Sequence, residues 1–255
     1  MLQLRIKCED DCQQAGEILK RTPRAASLAV AVARLDLERN SSLYSCSSVV
    51  IGRFVVENVF GAAYAHRGQL KLTALRFDSI CLARIGDRLQ EFVALGGLEH
   101  LQLLTCGGTD PFLQVLSQEC SGLQSFALEN CQELWHNNTI NDFLRATTPR
   151  RLVVNSEHCG ASQANAQGLI AFDTLLPFAH AIRCLVLRDC NPHFSILGTE
   201  RTEGSSIDFG ELCASLQSLK QLCISSPAIE KKHWAISGFT EFLVGTLTLH
   251  GQISA

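Results

Sequence analysis

Large apolar residues recur at matched offsets in two stretches, residues 98–106 (LEHLQLLTC) and 123–131 (LQSFALENC), and both stretches end on cysteine. Within each, apolar residues alternate with their neighbours around Leu101-Gln102-Leu103 and Phe126-Ala127-Leu128. That is the period-two signature of a strand with one buried face. The intervening DPFLQVLSQEC spaces its apolar residues by three and four, which predicts a short helix. Strand, turn, helix and turn therefore fit within the 25 residues that separate Leu101 from Phe126. One unit is written twice.

With the fourth position of L-x-x-L-x-L-x-x-N/C as a marker, the candidate units centre on Leu4, Leu35, Phe54, Leu75, Leu101, Phe126, Leu152, Leu185, Leu222 and Leu247. From Leu75 the steps are 26, 25 and 26 residues, then 33 and 37. The added length is expected in loops at 155–167 and 191–207, both polar. Residues 41–70 fit worst, because only 19 residues separate Leu35 from Phe54. Helices are predicted over CQQAGEILKRTP, with Ala15, Ile18 and Leu19 on one face and Pro23 as the stop. Others are predicted over ARIGDRLQEFVAL, over NNTINDFLRATTP through Ile140, Phe143 and Leu144, over GLIAFDTLLPF and IDFGELCASL, and within 229–244. A period of this size predicts one continuous domain over 1–255.

Parallel strands sit about 4.8 Å apart, whereas neighbouring helix axes need roughly 8 to 10 Å. A stack of such units is expected to bend, with strands lining the hollow and helices covering the outside. Three rows should then face the hollow. Between the inward positions run Arg76, Gln102, Ala127, Val153, Val186 and Cys223. After them run Asp78, Leu104, Glu129, Asn155, Arg188 and Ser225, and before them Ala74, His100, Ser125, Arg151, Cys184 and Gln221. The middle row begins polar and turns apolar. An apolar patch with a polar rim is the composition of a protein-binding surface, although β-branched residues also favour strands without any ligand. The expected partner-binding residues are Arg76, Gln102, Leu104, Glu129, Arg151, Val153, Asn155, Val186, Arg188 and Gln221.

Composition narrows the function classes. The chain is 46% hydrophobic and 18% charged, enough apolar material for a packed core in every unit. A net charge of −3 supplies no broad field for phosphate, so nucleic acid is not an expected partner. The longest apolar run, AASLAVAVA, falls short of a membrane span, and the N-terminus reaches acidic residues too early for a secretory signal. A cytoplasmic or nuclear protein is expected. Of the 12 cysteines, Cys106, Cys131 and Cys190 fall at the ninth position, turned inward, while Cys120 and Cys213 sit on helical faces. Buried thiols account for them better than a disulfide framework. No G-x-S-x-G, H-E-x-x-H, phosphate-binding loop or C-x-x-C is present, so no catalytic residue, metal or cofactor is expected.

With LEHLQLLTC, LQSFALENC and IRCLVLRDC in hand, and LTALRFDSICL before them, the chain resembles the cysteine-containing leucine-rich-repeat proteins. In particular it resembles the repeat region of fungal F-box proteins over about residues 32–250. The resemblance implies an α/β leucine-rich-repeat solenoid, a curved horseshoe with parallel strands on the concave wall and helices on the convex wall. It also implies a non-enzymatic scaffold that recruits substrates to a cullin-type ubiquitin ligase, in which an F-box contacts the ligase adaptor. No LPxE-like F-box opening is visible in this sequence. The alternative expectation is a structural or regulatory repeat domain that is a fragment of a larger protein.

Overall fold

The structure, a computed structural model, describes residues 2–6, 9–21, 27–32, 58–59, 61, 71–82, 85, 97–131, 139–155, 172–188 and 214–225. Its frame is an α/β arrangement around one open, all-parallel sheet. The strands are β1 (Leu2–Ile6), β2 (Ser27–Val32), β3 (Lys71–Asp78), β4 (His100–Leu104), β5 (Ser125–Glu129), β6 (Arg151–Asn155), β7 (Cys184–Arg188) and β8 (Gln221–Ser225). They lie side by side in chain order. Parallel neighbours need a long crossover, and the described crossovers are helical: α1 (Glu9–Arg21), α2 (Thr109–Glu119), α3 (Thr139–Thr147), and α4 (Phe172–Leu175) continuing into a 3-10 turn (Leu176–Ala181). Among the described residues no helix is long and apolar enough to cross a membrane.

One sheet face packs against the helices. Leu75, Phe77, Leu101, Leu103, Phe126, Leu128, Leu152, Val154 and Leu185 are buried in a single core with Phe112, Leu113, Leu116, Phe143 and Leu144. Phe77 meets Phe112 edge to face at 5.8 Å between ring centres, and Phe126 meets Phe143 at 4.8 Å. Strands β3 to β6 thus contribute alternate residues to this layer, as the period-two pattern requires.

The strands end in a shared way. Ser79, Thr105 and Asn130, each one residue beyond a strand, adopt positive φ of 59°, 52° and 54°. Their N–H groups donate to the carbonyls of Leu104, Glu129 and Asn155, so the inter-strand bonding continues one residue past the regular strands. The chain then turns under the core, where thiols replace backbone partners. The Cys106 N–H donates to Cys131 Sγ at 3.4 Å, and Cys131 Sγ lies 3.5 Å from the Leu103 carbonyl. A cysteine at this position is small enough to bury and still engages main-chain polar groups.

Cys106, Cys120 and Cys131 are buried thiols, as the pattern predicts. Cys190 and Cys213 lie outside the described residues, as do both polar loops, most of 41–70, most of the helix expected over 83–95, and everything expected beyond 225.

The N-terminal third departs from the expectation in three respects. The second strand is Ser27–Val32, with Val30 in register with Leu4 and Leu75. Val30 therefore occupies the position assigned to Leu35, because the alternating SLAVAV is a better strand than the mixed run after it. Next, β2 pairs directly with β3, so no strand from the Phe54 segment lies between them. Finally, Ile18 is 43% exposed, whereas Cys12, Ala15 and Leu19 are buried. The buried stripe on α1 is rotated from the expected one. Gly16 lies on that stripe, and a Cβ there would stand 2.7 Å from the Asn58 carbonyl oxygen. The helix can approach this segment only with glycine at the contact.

Candidate functional site

The opposite face of the sheet carries the residues singled out in the sequence, and strand register aligns them as the alternation predicts. Arg76, Gln102, Ala127, Val153, Val186 and Cys223 are successive cross-strand neighbours. So are Ala74, His100, Ser125, Arg151, Cys184 and Gln221, and so are Asp78, Leu104, Glu129, Asn155, Arg188 and Ser225. All ten expected partner-binding residues therefore stand on one face, six strands wide.

Their exposure differs along the sheet. Arg76, Arg151 and Gln221 are exposed, and Gln102, Leu104, Glu129, Val153 and Asn155 are half-buried. Val186 is only 7% exposed, and beside it Cys184 is 8% and Ala127 3%. These three are buried yet stand apart from the main core. Val186 is therefore less accessible than an open concave position requires. For Arg188 the strand position is described and the side chain is not.

Cross-strand hydrogen bonds organise the polar half. Arg76 donates from a guanidinium nitrogen to Gln102 Oε1 at 3.3 Å, and Gln102 Nε2 donates to Glu129 Oε1 at 3.3 Å. The amide couples a cation on β3 to a carboxylate on β5. Donor and acceptor both point correctly only in this amide orientation, which the network itself selects. Farther along, Arg151 donates to Ser125 Oγ at 3.4 Å, and Cys184 Sγ donates to Gln221 Oε1 at 3.3 Å. Burial raises the Cys184 thiol above its ordinary value, while the Arg151 guanidinium opposes that shift and the Cys223 thiol adds to it. At neutral pH Cys184 is a protonated donor, not a nucleophile.

The face offers what non-covalent recognition uses: pre-ordered polar groups at one end, a small apolar centre, and a polar rim. Among the described residues, no three histidine, cysteine or acidic side chains group as metal ligands. Sequence reasoning identified the face and its rows but passed over three cations, Arg150, Arg183 and Lys220, that stand immediately before β6, β7 and β8. They hold the second position of the repeated motif, two residues before Leu152, Leu185 and Leu222, which the motif leaves open to any residue type, and the strand register confirms that they coincide.

No protein-family model, curated protein or solved structure matches this chain.

Proposed function

We propose that the chain is a leucine-rich-repeat solenoid acting as a non-enzymatic recognition scaffold, which holds a protein partner on the outer face of its sheet, the face turned away from the helices and the concave wall of the expected horseshoe. The observation that carries the reading is the in-register face itself. One side of the sheet is committed to the core, while the other sets Arg76, Gln102, Glu129, Arg151 and Val153 at fixed cross-strand spacing with their polar groups already paired. Pre-ordering of this kind lowers the entropic cost of association. The resemblance to fungal F-box repeat regions makes a protein destined for ubiquitin transfer the favoured cargo, with a cullin-ligase adaptor as a second partner.

The test is affinity capture from the native cell type with wild-type chain and with Val153→Glu, which puts a carboxylate on a half-buried central position of the face. Arg76→Glu at the polar end serves as a second probe, and thermal melting checks that both variants remain folded. Loss of the same captured proteins in both folded variants is the expected result. Identical capture by all three chains rules out the outer face as the binding surface. Recovery of the adaptor together with the cargo supports the ligase assignment.

A further inference from the structure

We propose that the edge of the sheet where β6, β7 and β8 begin binds an acidic segment of a partner protein through a stacked column of cations, Arg150, Arg183 and Lys220. The proposal rests on the recognition reading only in taking the partner to be a protein.

The backbone fixes the column. The Arg183 N–H donates to the Arg150 carbonyl at 2.7 Å, and the Lys220 N–H donates to the Arg183 carbonyl at 2.8 Å. The three residues thus hold one structural position in three consecutive units, about one strand spacing of 4.8 Å apart. All three are exposed, and none forms an ion pair among the described residues. Arg151 adds a fourth cation where the column meets the outer face, anchored by its bond to Ser125 Oγ. The same position in the preceding units holds Thr73, Glu99 and Gln124, linked by the bonds from the Glu99 N–H to the Thr73 carbonyl and from the Gln124 N–H to the Glu99 carbonyl. At this position the cations occupy the last three described units, and the nearest carboxylate of the column lies two positions before Arg150.

Like charges side by side on neighbouring strands oppose folding, and a single exposed lysine or arginine would serve solubility without that cost. Here the cations accumulate in a chain whose net charge is −3. The ligand that relieves the repulsion is anionic and short. The column spans roughly 10 Å, and an extended peptide offers same-side carboxylates roughly 7 Å apart, so two or three acidic side chains match it. A nucleic acid would call for a longer basic track to gain its usual affinity from counterion release. The acidic peptide is the better fit.

Fluorescence anisotropy with a fluorescein-labelled glutamate-rich decapeptide tests the proposal. A lysine-rich decapeptide and a single-stranded decanucleotide are the comparison probes. Wild-type chain is expected to bind the glutamate-rich peptide in preference to both, with affinity falling as salt rises. The Arg150→Glu/Arg183→Glu/Lys220→Glu variant is expected to bind it roughly tenfold more weakly or worse. Because triple charge reversal can perturb folding, the neutral Arg183→Gln variant is measured alongside, and both are checked by thermal melting. Absence of peptide binding, undiminished binding in the folded triple variant, or tighter binding of the oligonucleotide overturns the proposal. Failure of the recognition reading shows elsewhere, as unchanged capture by Val153→Glu, whatever the column does.

Discussion

At the scale of single residues, the positions that follow the strands carry the sharpest constraint. Ser79, Thr105 and Asn130 share a left-handed backbone that asparagine adopts readily and a β-branched residue only at a cost. Thr105 is therefore the strained member of the series, held there because its N–H completes the bond to the Glu129 carbonyl at 2.7 Å. Replacing Thr105 with Asn, the residue that stands in the equivalent place at position 130, is expected to stabilise the fold by about 0.5–1 kcal/mol. Urea unfolding measures this, and a loss of stability would show that the Thr105 methyl contributes more through packing than its backbone costs. The repeat motif marks where the turn falls. It says nothing of φ, because the turn tolerates serine, threonine and asparagine alike.

Among elements, the regular centre was legible and the ends were not, for identifiable reasons. From Leu75 to Leu152 constant spacing and alternation locate β3 to β6, and helical spacing of apolar residues locates α2 and α3. At the N-terminal end, Val30 and Leu35 both sit in apolar context, and only pairing with Leu4 and Leu75 decides between them. On α1 a single additional apolar residue, Ile18, shifted the expected stripe toward solvent. The cysteines show how burial translates into chemistry. Cys120 follows α2, and burial pushes its thiol from 9.0 up to about 12, with the nearby Glu119 carboxylate adding to the shift. Below 9.0 the thiol is protonated in both folded and unfolded chains, so its contribution is fully present. As pH rises from 9.0 toward 12 the unfolded thiol ionises first, and that contribution is progressively lost. The stability advantage of wild type over Cys120→Ala is therefore expected to shrink across this window. Unfolding by urea along a pH series tests it, and parallel profiles for the two chains would mean that Cys120 ionises as readily folded as unfolded.

Across the whole molecule, strands in chain order mean that each described strand pairs with the strands before and after it. The same order stacks equivalent positions that lie far apart in the chain: Arg150, Arg183 and Lys220 form a column through the register of β6 to β8. They hold the second position of the motif, which prescribes no residue type there, so their shared charge stands out only when the strands are set side by side. Nearest-neighbour bonding also sets how damage spreads. Phe126 is fully buried on β5 and packs against Phe143 on α3. Truncating Phe126 to Ala should cost roughly 3–5 kcal/mol in lost transfer energy and cavity formation. If neighbouring strands carry most of the stability of each, that loss is concentrated where the packing was lost. Amide hydrogen exchange should therefore accelerate most in β4, β5 and β6 and least in β1 and β2, which sit at the far end of the sheet. Mass-spectrometric exchange on wild type and Phe126→Ala resolves the gradient. A uniform acceleration from β1 to β8 would mean that the sheet opens as a single cooperative body, and that coupling through the shared core outweighs the strand-by-strand order of the bonds.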